Sequence, residues 1–312
     1  MGEYLPIILI CIVTSFFSNI LFQKIFIQNN LTDEVTERSS HKVIATRSGG
    51  ISLFMVIFTF SCFFYFSGSE VFDFSYLVPL SLLMLVGLYD DIYRIDFKLK
   101  FIFQIIAAKI IIDNGLIIDN LHGVFDIFEL NRVLAQMITI FFIVAIINSI
   151  NFIDGIDGLA ISIVSLFIIL FEAFSFYETG FSFLSVMILA SIVPVYYFNF
   201  KNERKVFLGD SGSLFLGCIV SIYVINILSQ EYIIKDRYDM HKIIFVISIL
   251  FYPIIDIIRI VFKRLVEGKS PFEADKKHIH HLILRGVKSH FVTTLVITIS
   301  SILFMISLQL VF

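Results

Sequence analysis

Residues 208–229 read LGDSGSLFLGCIVSIYVINILS. From Leu214 to Ser229 the stretch carries no charge, and with its polar head it is 22 residues long. At about 1.5 Å per residue this gives roughly 33 Å of helix, enough to cross a hydrocarbon core of about 30 Å. The head, Gly209-Asp210-Ser211-Gly212-Ser213, is of another kind. Asp210 or Ser211 would make a good N-cap, with the glycines easing the entry. The same geometry turns backbone N–H groups toward an anion. It also offers Asp210 to Mg2+, which commonly takes one or two carboxylates plus phosphate oxygens and water. Cap and ligand site both remain open from this segment alone.

Nine further apolar runs follow the same pattern, at 4–27, 50–67, 71–89, 99–117, 133–150, 157–175, 181–199, 241–262 and 290–311. Together they predict an all-α polytopic membrane protein with about ten transmembrane helices. The 312 residues are 58% hydrophobic and 16% charged, with a mean hydropathy of +0.94, which excludes an ordinary soluble domain. The first run is too long for a signal peptide's apolar core and lacks a small-residue cleavage site, so it reads as a retained helix. No repeat, linker or low-complexity tract divides the chain, and residues 1–312 read as a single integral membrane domain. Cys11, Cys62 and Cys218 lie in apolar runs without metal-ligand spacing and read as small hydrophobes.

With Met1 outside, eighteen of the twenty-three Lys and Arg residues lie on or beside the loops around 28–49, 90–98, 151–156, 200–207 and 263–289. Only Arg132, Lys235, Arg237 and Lys242 lie on the other side, and Lys109 lies within a run. The positive-inside rule then predicts both termini on the extracytoplasmic side. All five polar clusters fall on the cytoplasmic face, so the active site is expected there.

Asp90-Asp91 ends the third run, with Arg94 on the next turn. Adjacent carboxylates repel each other unless a cation is near. A solvated helix end is the bland reading, and service to a metal or as a base is the functional one. Arg94 could then hold a phosphate or neutralise the pair. Asn148, Asn151, Asp154 and Asp157 recur at intervals of three, which in a helix would give roughly one face. Gly155 and Gly158 follow the two aspartates, and capping accounts for Asp157 alone. His278-Ile279-His280-His281 follows Lys276-Lys277. Tetrahedral zinc usually wants Cys or wider His spacing, so imidazoles beside lysines suit a diphosphate better. The first loop, from Arg38-Ser39-Ser40-His41 to Arg47-Ser48-Gly49-Gly50, would alone be a basic loop attractive to anionic lipid. Asp256, inside the ninth run, is a functional candidate by its position. Pairing with Arg259 explains it equally well, and it stays outside the catalytic set.

In this order, the motifs resemble those of the polyprenyl-phosphate N-acetylhexosamine-1-phosphate transferases, within glycosyltransferase family 4. The resemblance runs from about Arg38 to His281. It rests on Asp90-Asp91, Asn151-x-x-Asp154-Gly155-x-Asp157-Gly158, Gly209-Asp210-x-Gly212-Ser213 and His278-x-His280-His281. The Arg38-Ser39-Ser40-His41 start and the His-Ile-His-His form look like the O-antigen and teichoic-acid initiating branch more than the peptidoglycan translocase. The resemblance implies transfer of an N-acetylated sugar-1-phosphate from a UDP-sugar to undecaprenyl phosphate, with release of UMP, at the bacterial cytoplasmic (inner) membrane. It implies Mg2+, with Mn2+ as a substitute, held by Asp210 with Asn151 beside it. It implies Asp90, Asp91 and Asp210 as catalytic residues. Arg47, Arg94, Asn148, Asn151, Asp154, Asp157, His278, His280 and His281 are then substrate-binding. A homodimer is compatible with the superfamily, and nucleic acid is not an expected partner. One departure bears on the first loop's rigidity and on sugar choice: this branch usually carries Pro-Thr-Pro where the chain has Ile44-Ala45-Thr46.

Such chemistry would suit the composition. Charge gathers on phosphate oxygens and must be covered by metal and cations, while a polyprenyl tail needs lipid. The rival from another class is a polytopic transporter or lipid flippase, which would keep its polar residues near the bilayer midplane in broken helices. Here they sit mostly at one edge.

Overall fold

Each of the ten apolar runs is helical in the computed structural model, which describes residues 4–33, 45–124, 126–175, 179–201, 203–229, 241–268 and 277–311. The residues Arg38 to Ile44 of the first loop, and Lys276, lie outside the described residues. Helices α1 (Leu5–Gln28), α2 (Gly49–Phe66), α3 (Leu77–Tyr93), α4 (Phe97–Asp113), α5 (Arg132–Ile153) and α6 (Leu159–Phe174) come first. They are followed by α7 (Ser182–Phe200), α8 (Gly209–Ser229), α9 (Lys242–Ile249), α10 (Phe251–Val266), α11 (Ile279–Val287) and α12 (His290–Val311). Among the described residues, seven of the spans are long and apolar enough to cross a membrane, or eight if α9 and α10 count as one bent span. At 17 and 16 residues, α4 and α6 are shorter, and α4 also carries Lys98, Lys100, Lys109 and Asp113.

The ninth run is two helices bent by 79° about Leu250. Pro253 accounts for the break, because it has no N–H to continue the ladder and its ring crowds the carbonyl four residues back. The chain is also not purely helical. Ala45–Thr46 (β1) pairs in parallel with Lys205–Val206 (β4), and Asn120–Val124 (β2) forms a hairpin with Ile127–Glu129 (β3). His122, Gly123 and Asp126 all have positive φ there, which turns the backbone sharply within a segment too short to span.

Two compact units divide the chain: Met1–Asp96 with Glu178–Phe215, and Phe97–Tyr177 with Leu216–Phe312. In the first, α1 lies against α2 and α7 through small polar side chains. Ser15 donates to the Ser191 carbonyl at 2.6 Å, and Ser18 to that of Ser52 at 3.1 Å. Small residues of this kind let helices approach where lipid supplies no hydrophobic drive between them. The opposite stripe of α1, Leu9, Val13, Phe17 and Leu21, is exposed, as a lipid-facing surface requires. In the second unit, α5 packs with α4, α6 and α10, and α12 packs with α6, α9, α10 and α11. A Cβ at Gly217 would stand 2.9 Å from Ile147 Cα, so α5 and α8 meet backbone to backbone at that glycine.

Candidate active site

In the first unit the site is built around the start of α8. Gly209 has φ +74, a left-handed conformation, and a Cβ there would lie 2.6 Å from Asp91 Oδ2. The turn delivers the amide groups of Asp210 and Ser211 to Asp91. Its Oδ1 accepts from Asp210 N and its Oδ2 from Ser211 N, each at 2.9 Å. The Asp91 side chain is 0% exposed. The anion at this helix start is therefore the chain's own, and these two N–H groups are not offered to an outside ligand. Close approach of α3 and α2 makes the clamp feasible. A Cβ at Gly87 would sit 2.6 Å from Ser211 Cα, and one at Gly50 would sit 2.5 Å from Gly212 Cα.

Arg47 completes this centre. Its Nε donates to Asp33 Oδ2 at 2.8 Å, and its Nη1 stands 3.7 Å from Asp91 Oδ1. Burial works against the guanidinium charge, yet the Asp33 hydrogen bond and the charges of Asp33, Asp91 and Asp210 hold its pKa above the ordinary arginine value. The segment carrying Arg47 is fixed by backbone pairing and not by proline. Asp33 N donates to Ala45 O at 2.9 Å, and Phe207 N to Thr46 O at 2.8 Å. Asp90, the other half of the pair, is turned to the end of α3. Its Oδ1 accepts from Ile95 N at 2.7 Å, just beyond Arg94, whose φ of 55 ends the helix. Arg94 itself is exposed.

The second unit gathers the other motifs. Helix α5 runs to Ile153, so Asn148 and Asn151 share it while Asp154 caps it and Asp157 lies in the turn beyond. The single helical face expected for the four residues therefore holds only for the first two. Asn148 donates to Gln104 Oε1 and to Val144 O, both at 2.7 Å, tying α5 to α4. Asp157 pairs with His290 Nδ1 at 2.9 Å, and Thr294 donates to its carbonyl at 2.8 Å, tying the turn to α12. Gly155 meets the histidine motif: a Cβ there would lie 2.7 Å from His280 Nε2 and 3.3 Å from His281 Nε2.

Sequence reasoning missed what holds that motif. Asp256 pairs with His278 Nδ1 at 2.5 Å and accepts from Ile279 N at 2.7 Å, whereas Arg259 donates to Lys277 O at 2.8 Å. The expected Asp256–Arg259 pairing is not what the geometry favours. A partner 22 residues away cannot be read from helical spacing. Asp33 and Tyr252 gave no signal at all in the sequence.

His280 is 1% exposed, and its pKa lies down at about 3. Burial is the main cause, with His281 and His278 adding to it and Asp256 opposing it. In the unfolded chain the ring titrates near its ordinary value of about 6.5. Both states are neutral above that pH, so this contribution to stability is fully present there. Between about 6.5 and 3 the unfolded chain takes up a proton that the folded chain refuses, and stability falls as pH falls, by up to about 1.4 kcal/mol per unit. Thermal midpoints measured at pH 7, 6 and 5 should therefore fall less in His280→Gln than in the parent protein.

Among the described residues no three His, Cys, Asp or Glu side chains converge as a metal-holding group. Mg2+ would not need such a group, since one or two carboxylates suffice when phosphate and water complete its shell. Asp210 lies at this centre, where its charge acts on both Arg47 and Asp91. Asn151 lies in the last turn of α5, in the second unit.

Residues 73–228 match the family described as Glycosyl transferase family 4. A Bacillus subtilis protein named "Probable undecaprenyl-phosphate N-acetylglucosaminyl 1-phosphate transferase" is 32% identical over 294 residues, covering 92% of this chain and 79% of that protein. The Pasteurella multocida undecaprenyl-phosphate alpha-N-acetylglucosaminyl 1-phosphate transferase is 32% identical, covering 86% of this chain and 76% of its own. A Mycobacterium tuberculosis decaprenyl-phosphate N-acetylglucosaminephosphotransferase is 29% identical, covering 84% and 70%.

Proposed function

Because the chain belongs to glycosyl transferase family 4, we propose that it transfers N-acetylglucosamine-1-phosphate from UDP-N-acetylglucosamine to undecaprenyl phosphate, releasing UMP. The relatives' names supply the sugar and the acceptor. The observation that carries the reading is the juxtaposition of Arg47, Asp91 and Asp210 at the start of α8. We take the reaction to occur on the basic, cytoplasmic face of the bacterial inner membrane, where UDP-sugars are found.

An oxygen of the lipid phosphate attacks the sugar-bearing phosphorus, forming one P–O bond. The bond from that phosphorus to the bridging oxygen breaks, and UMP leaves with the bridging oxygen and its electron pair. A phosphate monoester has a second pKa near 6, so at pH 7 the attacking group is largely a dianion and needs no general base. This agrees with Asp90 and Asp91 accepting from backbone N–H groups. Their role is then to hold the ends of α3 and α8 rather than to remove a proton. Arg47, kept cationic by Asp33, faces phosphate oxygens. Asp210 would hold Mg2+, which supplies charge neutralisation at the diphosphate when bound. In the second unit Asn151, Asp154, His278, His280 and His281 are the residues we assign to the donor's polar groups.

Purified protein supplied with undecaprenyl phosphate, Mg2+ and UDP-N-acetylglucosamine should release one UMP per lipid diphosphate formed. UDP-N-acetylgalactosamine tested in parallel reports sugar choice. Movement of lipid or nucleotide sugar across proteoliposomes without UMP would favour the transporter reading instead.

A further inference from the structure

Three residues on one face of α10 hold the histidine motif. Tyr252, Asp256 and Arg259 follow at i, i+4 and i+7, so they line up along the helix. Arg259 Nη1 donates to Lys277 O at 2.8 Å. Asp256 takes the next two groups, His278 Nδ1 at 2.5 Å and Ile279 N at 2.7 Å. Tyr252 Oη stands 2.8 Å from His280 Nδ1. Tyr252, Asp256, His278 and His280 are all buried, from 1 to 5% exposed.

The partners decide which ring nitrogen carries the proton. An ionised carboxylate only accepts, so His278 holds its proton on Nδ1, facing Asp256, and presents Nε2 on the other side. At His280 the buried phenol must put its own proton somewhere, and Nδ1 is the acceptor within reach. The Tyr252 O–H therefore donates to Nδ1, and His280 carries its proton on Nε2. Among the described residues that Nε2 has no hydrogen-bond partner; it is buried and directed over Gly155. An orphaned buried N–H is destabilising, so its retention points to an acceptor supplied from outside the described residues.

We propose that Tyr252 and Asp256 are positioning residues that set opposite tautomers in two neighbouring histidines. His280 then offers a neutral N–H donor to an oxygen-rich ligand beside Gly155, and His278 keeps its proton toward Asp256. The ligand's identity, the UDP-sugar's phosphate or carbonyl oxygens, rests on the transfer reaction proposed above; the tautomers do not.

The test separates the two. The full-length protein in nanodiscs, labelled with 15N only at histidine, would be measured without substrate. His280→Gln and His278→Gln identify the two rings by signal loss. The expected spectrum has His280 protonated at Nε2 and His278 at Nδ1. Tyr252→Phe, which keeps the ring volume, should shift His280 toward a tautomer mixture and leave His278 unchanged. Asp256→Asn, which retains one acceptor oxygen, should keep more of the His278 pattern than Asp256→Ala. In UMP-release assays Tyr252→Phe should raise the KM for UDP-N-acetylglucosamine about two- to fivefold, in proportion to the lost Nε2–H fraction, with a smaller effect on kcat. A parent His280 protonated at Nδ1, or a Tyr252→Phe spectrum identical to the parent's, would overturn the assignment. So would a Tyr252→Phe variant with shifted tautomers and unchanged KM and kcat. Expected tautomers in a protein that releases no UMP would support the positioning and sink the transfer reading.

Discussion

Asp210→Ala should lower UMP release by about a thousandfold, equivalent to about 4 kcal/mol of transition-state stabilisation. The residue's charge acts on Arg47 and Asp91 at the start of α8, so alanine there removes the carboxylate proposed to hold Mg2+ without taking away a structural hydrogen bond of Asp91. The backbone N–H of residue 210 survives the substitution, and the clamp on Asp91 survives with it. Loss of a carboxylate beside the buried Asp91 also relieves like-charge repulsion. The lost attraction to Arg47 opposes that relief, so the thermal midpoint should change little while activity collapses. Chelation of Mg2+ should abolish release by the parent protein, and the residual rate of Asp210→Ala should not respond to added Mg2+. Full turnover by this variant would remove the metal assignment. A parallel fall in midpoint would mark Asp210 as a structural residue.

Much of the fold was legible because a membrane helix is written in long apolar runs, and all ten contain helix. What escaped was short or non-local. The 79° bend had a local signal in Pro253, but its place within an otherwise continuous apolar run concealed it. The β1–β4 pairing joins residues 160 positions apart, and neither strand exceeds two residues, too short for any periodicity. The candidate site divides in the same way. Motif spacing was enough to nominate Asp91, Asp210 and the histidines. It could not tell that Asp91 is spent on two amides, or that Asn148 and Asp157 bind Gln104 and His290. A carboxylate's partners are set by tertiary approach, which here depends on Gly87 and Gly50 lacking side chains.

Substitution of Asp91 should produce the opposite combination to Asp210: lost activity together with lost stability. Asp91→Ala leaves the amides of Asp210 and Ser211 without their acceptor in a site where the wild-type carboxylate is 0% exposed. Two hydrogen bonds to a charged group, less the desolvation their loss relieves, suggest a cost of about 2–4 kcal/mol. It would appear as a lower thermal midpoint and, because Asp210 sits on the released turn, as a loss of about a hundredfold or more in UMP release. Asp91→Asn is the sharper variant. Its carbonyl oxygen can accept from one amide, but its NH2 group must face the other as donor against donor. It should therefore fail to restore either property fully, although it matches aspartate in shape. A general base would behave differently. Its replacement by alanine would leave the midpoint unchanged, and activity would recover as pH rises and hydroxide substitutes for it. If Asp91→Ala melts with the parent and regains rate at high pH, the clamp at the start of α8 is incidental and Asp91 works on a proton.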